Sequence, residues 1–439
     1  MGKRAVYSKI ECLDRSEIRK IQLSHLKEQL ARCCDFSPFY QQKFRACGFE
    51  KNDIEKLEDI KNLPFTYRHE LQEDKSRIPP YGGLILPDKK KWAEAHPTTG
   101  TTGQQFYAVW TKDDVARITD FTTRMLFSVG VRPGDIIHNS FQYGLRMGGL
   151  SVQRVAEKLG CFVLPIGEGP IRTQIEFLVN FRPTVLIGYP TFAFNLAEKL
   201  RERGIEPGKL SLRIGCFGGE PGVQVPSTRS RLEQELGIKA YDIYGLVEIG
   251  PMIAAECEEQ DGLHFAEDYH LVEVINPETL QPCLSDEVGV LVITDLTREA
   301  MPLIRYWTND IVRLSYDRCA CGRTHVKLKG GIIGRADDII IYHGNKFYPA
   351  QVENILHRFE ELGTEFKVIL HPDKNTGMEY CTVKVECLHV GLGIDILEDK
   401  IKKELREELK VSVKVELVPF GSLERETLKT KRVLDYRNT

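Results

Sequence analysis

Between Cys161 and Tyr244 the chain alternates repeatedly between short apolar runs and amphipathic stretches. Cys161–Pro165, Thr184–Tyr189, Leu212–Phe217 and Lys239–Tyr244 read as strands, and Ile171–Phe181, Thr191–Arg203 and Val225–Leu236 read as helices between them. Repeated strand–helix units of this kind fold as a parallel sheet covered by helices, because a parallel neighbour needs a long crossover. The first of these strands is expected to be buried. Ligands of such sheets lie beyond the carboxyl ends of the strands. Here those ends carry Gly218-Gly219-Glu220-Pro221 and Tyr244-Gly245-Leu246-Val247-Glu248.

The flanking chain frames this centre. Asp14–Cys34 has helical spacing, with Asp14 or Ser16 available as cap, and Ser37-Pro38-Phe39-Tyr40 reads as a turn. Tyr67–Pro87 is polar and proline-bearing and reads mostly as loop. Asp113–Ser128 reads as helix and Ile136–Ser140 as a short strand that delivers Tyr143-Gly144-Leu145-Arg146-Met147-Gly148-Gly149. That glycine-bearing segment suits either a close ligand approach or a tight helix start. After Gly250, short strands at Leu271–Ile275, Val288–Thr294 and Ile311–Leu314 suggest a small antiparallel β unit. Beyond Gly330-Gly331 an α+β pattern follows, and the basic run Glu426–Arg432 reads as exposed. The expected fold is α/β, with a large N-terminal domain over residues 1–336 and a smaller, mobile α+β domain over 337–439.

A length of 439 residues supports more than one core. A net charge of −3 gives no basic field for nucleic acid or anionic lipid, and no run is apolar enough to span a bilayer. Twelve cysteines without a secretory segment point to free thiols and a cytoplasmic protein. Cys319-Ala320-Cys321-Gly322 stands apart from the rest. A Cys-x-Cys pair reads as half of a zinc site, and Cys257 and His264 could complete it. The alternative is a set of buried thiols with a surface histidine.

Thr98-Thr99-Gly100-Thr101-Thr102-Gly103 contains only hydroxyl residues and glycine. Backbone donors and hydroxyls in such a run can converge on phosphate oxygens. An ordinary surface loop is the competing reading, and the Gly-Lys-Ser/Thr ending of a Walker loop is absent.

In order, this run, Gly218–Pro221, Tyr244–Glu248, Arg305-Tyr306-Trp307-Thr308-Asn309-Asp310, Gly334-Arg335-Ala336-Asp337-Asp338 and Lys429 resemble the adenylate-forming acyl- and aryl-CoA synthetases. Within them, Tyr143-Gly144-Leu145 with Gly148-Gly149, and Tyr241–Leu246, resemble the phenylacetate–coenzyme A ligases, from about Ser37 to Arg437. The resemblance implies attack of a carboxylate on the α-phosphate of ATP, then displacement of AMP by coenzyme A. It implies phosphate contacts from Thr98, Thr99, Gly100, Thr101, Thr102 and Gly103, and nucleotide contacts from Gly219, Glu220, Pro221, Asp242, Tyr244 and Gly245. Asp310 would bind the ribose hydroxyls and Arg335 the ribose or α-phosphate. Glu248 would bind Mg²⁺, a hard cation that prefers carboxylate oxygen. Lys429 would act at the adenylation centre and Asp337 as hinge. Tyr143, Gly144, Arg146 and Gly218 would line the acid's site. The chain departs from the family pattern at Gln104, Leu428 and Arg146, where lysine, glycine and phenylalanine are usual. A deazaflavin adenylyltransferase and a non-catalytic nucleotide-binding relative remain as alternatives. The sequence leaves a homodimer open.

Overall fold

The computed structural model describes residues 6–86, 88–98, 105–372, 379–388, 393–424 and 432–437. Its contacts divide the chain into two compact units. One comprises Met1–Gly188, Ser211–Gly219 and Tyr241–Gly331, and the other Tyr189–Leu210, Glu220–Ala240 and Ile332–Thr439.

The first unit is organised on one long sheet. Phe162–Leu164, Ile136–Asn139, Val185–Gly188 and Ile214–Phe217 lie side by side in parallel pairs. Val185, Leu186 and Ile187 are inaccessible to solvent, as an interior strand covered on both faces requires. Phe162–Leu164 is the end strand, so Phe162 is exposed and the expectation of a buried strand fails there. From Lys239–Leu246 the same sheet continues through Gly250–Ala255, Leu263–Phe265, Lys327–Leu328, Tyr306–Ser315, Val288–Asp295 and His270–Ile275. The small β unit expected after Gly250 is therefore not separate. Its antiparallel ladders extend the parallel half, with Tyr244 opposite Ala254.

Two helices depart from the sequence reading. Ser37 caps a helix at Pro38–Ala46 instead of making a turn: its hydroxyl accepts from the Tyr40 amide, and proline occupies the first helical position. Arg68–Arg77, read as loop, is a helix whose Glu70 carboxylate accepts from the Tyr67 amide at 2.7 Å. Only Leu71 and Asp74 of that helix are buried, so it has almost no apolar period to announce it. By contrast Lys112–Ser128 begins where expected, because Thr111 and Asp114 exchange reciprocal capping bonds of 3.0 Å. The long helix Arg15–Phe36 buries Ile18, Gln22, Leu26, Gln29, Leu30 and Cys33 along one face. Its two glutamines donate to the carbonyls of Glu267, His270, Asp295 and Arg298.

The second unit holds a four-stranded sheet in the order Lys414–Pro419, Glu379–Cys387, Leu362–Pro372, Val433–Asp435. Helices Pro349–Leu356 and Ile394–Leu409 supply Val352, Ile355, Ile401 and Leu405 to its core. Helices Pro190–Glu202 and Pro226–Leu236 belong to the same unit. Val433–Asp435 pairs in parallel with Val368–Leu370. Just before it, Arg432 is half-buried on the Phe366 ring and paired with Glu365 at 2.7 Å, so the basic run is not exposed at that residue.

Candidate active site

The threonine–glycine run joins the strands of a hairpin, Trp92–Pro97 and Tyr107–Thr111. Residues 99–104 lie outside the described residues, and with them Thr99, Gly100, Thr101, Thr102, Gly103 and Gln104. The base of the loop is fixed. Thr98 donates its amide to the Phe106 carbonyl at 2.8 Å, and its hydroxyl accepts from the Phe106 amide at 3.1 Å. The Arg68 guanidinium reaches the same hydroxyl at 3.3 Å and stands 3.9 Å from a Glu248 carboxylate oxygen. Sequence reading missed Arg68 because it had assigned its helix to a loop.

Glu248 is buried at the end of Lys239–Leu246, in the turn that leads into Gly250–Ala255. Burial, and then the Glu248 carboxylate facing it, push the Tyr306 phenol well above its ordinary range. The Tyr244 hydroxyl donates to Asp310 at 2.5 Å, and the Asp310 amide donates to Thr308 at 3.0 Å. Asp242, also buried, takes its place in the strand by donating its amide to Glu256. Arg305 and Asn309, flanking Tyr306–Thr308, both have positive φ, +47° and +66°. Positive φ outside glycine is costly, and here it is held in place by Arg305, which forks onto Glu273 and donates to the carbonyls of Lys61 and Leu63. Gly218 and Gly245 are glycines for want of space: a Cβ would stand 2.2 Å from the Ile243 carbonyl oxygen and 2.1 Å from that of Pro251. Gly219 follows with φ +84°. Arg68 thus meets both Thr98 and Glu248, Glu248 faces Tyr306, and Tyr244 meets Asp310.

Tyr143 accepts from the Asn139 amide group at 2.8 Å and donates to Gln153 at 3.0 Å, which anchors the ring at the end of Ile136–Asn139. Gly144 is exposed with φ +83°, and Arg146 is the N-cap of helix Met147–Leu159. Of the two readings of this segment, the helix start is therefore present. Burial raises the Glu168 carboxyl above its ordinary range, against the opposing charge of Arg146. His96, missed by the sequence reading, holds the Leu145 carbonyl at 2.9 Å and so fixes this loop to the hairpin.

In the second unit the Glu220 carboxylate accepts from the amide and hydroxyl of Thr191 at 2.8 and 2.6 Å, at the start of helix Pro190–Glu202. Pro221 follows it in the chain. Arg335 forks onto Asp337 at 2.9 and 2.8 Å, so the expected nucleotide contact and the expected hinge residue are paired. Lys429 lies outside the described residues.

Cys257, His264, Cys319 and Cys321 are all buried, and their ligand atoms lie within 4.8 Å of one another. Ligands on a tetrahedral zinc with Zn–S bonds of ~2.3 Å stand ~3.7 Å apart. Cys257 Sγ is 3.7 Å from Cys319 Sγ, and Cys321 Sγ is 3.8 Å from His264 Nε2. Burial would lower the His264 pKa, but Cys319 and Cys321 raise it to about 9. Hydrogen bonds from Cys257 and Cys319, together with the imidazole, hold the Cys321 thiol far below its ordinary range. Four donors of this kind, one of them favoured as thiolate, fit a closed zinc site. The outer nitrogen of His264 faces the His325 carbonyl at 3.4 Å, the partner a ligating histidine needs.

Residues 344–437 match the model of the AMP-binding enzyme C-terminal domain. The chain is 36% identical over 446 residues to the phenylacetate-coenzyme A ligase of Thermus thermophilus, covering 98% of both chains. Among solved structures it is similar to 2-hydroxyisobutyryl-CoA ligase in the postadenylation state with 2-HIB-AMP, with a TM-score of 0.92 at 27% identity over 98% of this chain and 92% of that one. The same enzyme with 2-HIB-AMP and CoA in the thioesterification state gives a TM-score of 0.74 at 28% identity, with the same coverage. At such identity over nearly the whole length of both chains, the chain belongs to the phenylacetate–coenzyme A ligase family.

Proposed function

We propose that the protein converts an aryl or acyl acid of the phenylacetate type to its coenzyme A thioester, through an acyl-adenylate. The observation that carries the reading is the Tyr244–Asp310 pair together with the cluster of Glu248, Arg68 and Thr98, with Tyr306 in the field of both Glu248 and Asp310. Asp310 is built as an acceptor for two ribose hydroxyls, already oriented by Tyr244. Thr98 to Gly103 and Arg68 bind the β- and γ-phosphates, Arg68 supplying a cation where Gln104 supplies none. Glu248, with its buried carboxylate beside Tyr306, is the residue that would hold Mg²⁺. Bound there, the cation would neutralise phosphate charge.

In the first step a carboxylate oxygen bonds to the α-phosphorus and the bond to pyrophosphate breaks. Lys429 neutralises the charge shared by the two reactants as that bond forms. In the second step the coenzyme A sulfur, as thiolate, bonds to the acyl carbon and AMP leaves with the electron pair. Tyr143, Gly144, Arg146 and Gly218 line the acid's site, Gly219, Glu220, Pro221, Asp242 and Gly245 the nucleotide's, and Arg335 contacts ribose or α-phosphate. Residues 337–439 act as a lid that pivots at Asp337 between the steps. Zinc on Cys257, His264, Cys319 and Cys321 is structural, because no ligand position is left for water or substrate. None of the twelve cysteines forms a disulfide, which supports a reducing, cytoplasmic setting.

The test is acid-dependent pyrophosphate release over a panel of aryl and short acyl acids, with and without coenzyme A. Release coupled to thioester formation supports the ligase. Production of AMP without coenzyme A consumption would select the adenylyltransferase reading, and absence of acid-dependent release would sink the ligase and favour a non-catalytic nucleotide-binding relative.

A further inference from the structure

Arg298 has no role in the chemistry just described, yet its guanidinium ties two parts of the nucleotide site together. It is 2% exposed. One terminal nitrogen, Nη1, donates to the backbone carbonyl of Glu248, and the other, Nη2, donates to that of Val109 at 3.1 Å. Its Cζ lies 3.6 Å from the centre of the Trp110 ring. Its Nε has no acceptor among the described residues. Val109 and Trp110 belong to the strand that leaves the phosphate loop, and Glu248 is the carboxylate assigned to the metal. The backbone at Arg298 is itself fixed: its amide donates to Asp295 at 3.0 Å, and its carbonyl accepts from Gln29 at 2.8 Å.

A fully buried cation is expensive to keep unless its donors are used. Burial lowers the Arg298 pKa to about 10, against the opposing pull of Asp295, Asp114 and Glu248. A residue needed only to fill space would be apolar here. The two terminal nitrogens instead grip one carbonyl from the strand Tyr107–Thr111 and one from Glu248, a task that needs a rigid fork and not a point charge.

We propose that Arg298 is a positioning residue that fixes the strand Tyr107–Thr111 against the backbone of Glu248, and thereby sets the affinity for the magnesium–ATP pair. This rests on the assignment of Glu248 to the metal. Arg298→Met keeps a stem on Trp110 but removes both donors. Arg298→Lys keeps the charge but offers a single head group to two carbonyls. Losing buried, charge-assisted hydrogen bonds of this kind corresponds to about a tenfold effect.

The experiment compares wild type, Arg298→Met, Arg298→Lys and Glu248→Gln in two measurements. One is Mn²⁺ binding in the presence of ATP, followed by electron paramagnetic resonance. The other is the Mg²⁺ and acid dependence of pyrophosphate exchange. The expected result is weaker Mn²⁺ binding and a rise of about tenfold in half-saturating Mg²⁺ in Arg298→Met, a smaller rise in Arg298→Lys, and an acid KM within about twofold of wild type. Should Arg298→Met fail to fold, the Arg298→Lys shift is decisive alone. Unchanged metal binding in a variant with lowered melting temperature would overturn the proposal and leave Arg298 a structural residue. If Glu248→Gln shifts metal binding and the Arg298 variants do not, only the positioning role falls. If Glu248→Gln leaves it unchanged, the metal assignment falls and this proposal with it.

Discussion

Asp310 is 4% exposed and accepts from the Tyr244 hydroxyl at 2.5 Å, so the carboxylate proposed to bind the ribose is held in one orientation. Its type and position were legible in Arg305–Asp310 because the resemblance rests on ordered motifs. Arg68 was not legible. It stands in a helix with almost no apolar face, and nothing in the local sequence links it to a loop thirty residues later. Arg298 was equally hidden, since a buried arginine betrays itself only through the carbonyls it meets. Lys429 remains the residue whose role most needs a direct measurement. If it serves the adenylation centre alone, Lys429→Ala loses acid activation by about a hundredfold or more. Thioester formation from a supplied acyl-adenylate stays close to wild type. Equal loss in both half-reactions would remove it from the adenylation centre.

Among the elements, the strand–helix alternation and the cysteine knuckle were readable because period and spacing are local signals. The Ser37-Pro38 start was misread because serine–proline serves turns and helix N-termini alike. The strand Val433–Asp435 was missed because three residues carry no period. The cysteine cluster draws on the segments around Cys257, His264 and Cys319–Cys321, so the proposed zinc would cross-link distant chain. Elemental analysis of protein purified without added metal should find about one zinc per chain in wild type and much less in Cys319→Ser. Chelation should lower the melting temperature before it lowers the turnover of the surviving folded enzyme. Metal-free protein with an unchanged melt after chelation would leave four ordinary thiol and imidazole neighbours.

A second element-scale consequence lies between helices Pro226–Leu236 and Pro349–Leu356. The Thr228 hydroxyl donates to Glu353 at 3.1 Å and meets His357 Nδ1 at 2.7 Å. Burial raises the Glu353 pKa to about 7, against Arg432 and the Thr228 hydrogen bond, with Glu220 and Glu365 adding to the rise. Raised in this way, Glu353 contributes stability that is complete below its unfolded pKa and lost as pH climbs through about 7. His357, held down to about 3 by burial and by Arg231 and Arg432, acts in the opposite sense: stability falls as pH drops below its unfolded value. The difference between wild type and Glu353→Gln isolates the carboxyl. Denaturant melts should show the variant gaining on wild type between pH 5 and 8 by on the order of 3 kcal/mol. A constant difference across that range would mean that Glu353 is ionised in the folded protein at pH 5.

At the scale of the whole molecule, the sequence reading drew its boundary at Ala336–Asp337, where composition shifts, whereas contacts group Tyr189–Leu210 and Glu220–Ala240 with Ile332–Thr439. Composition along a chain cannot register which helices pack with a distant segment. The pivot itself tests whether the two half-reactions need different arrangements of residues 337–439. Asp337 sits two residues after Arg335 and forks onto it, so any substitution there removes an ion pair, and proline also fixes φ and removes an amide donor. Exposed pairs of this kind contribute little, at most about 1 kcal/mol, so Asp337→Ala should keep both half-reactions near wild type. If the proposed pivot at Asp337 turns only for the second step, Asp337→Pro should keep acid-dependent pyrophosphate release and lose coenzyme A-dependent thioester formation by about tenfold or more. The two half-reactions are measured separately, with the acyl-adenylate supplied for the second. Normal thioester formation in Asp337→Pro would show that the backbone at this residue does not rotate during the cycle. An equal loss in Asp337→Ala would assign the effect to the Arg335 pair instead.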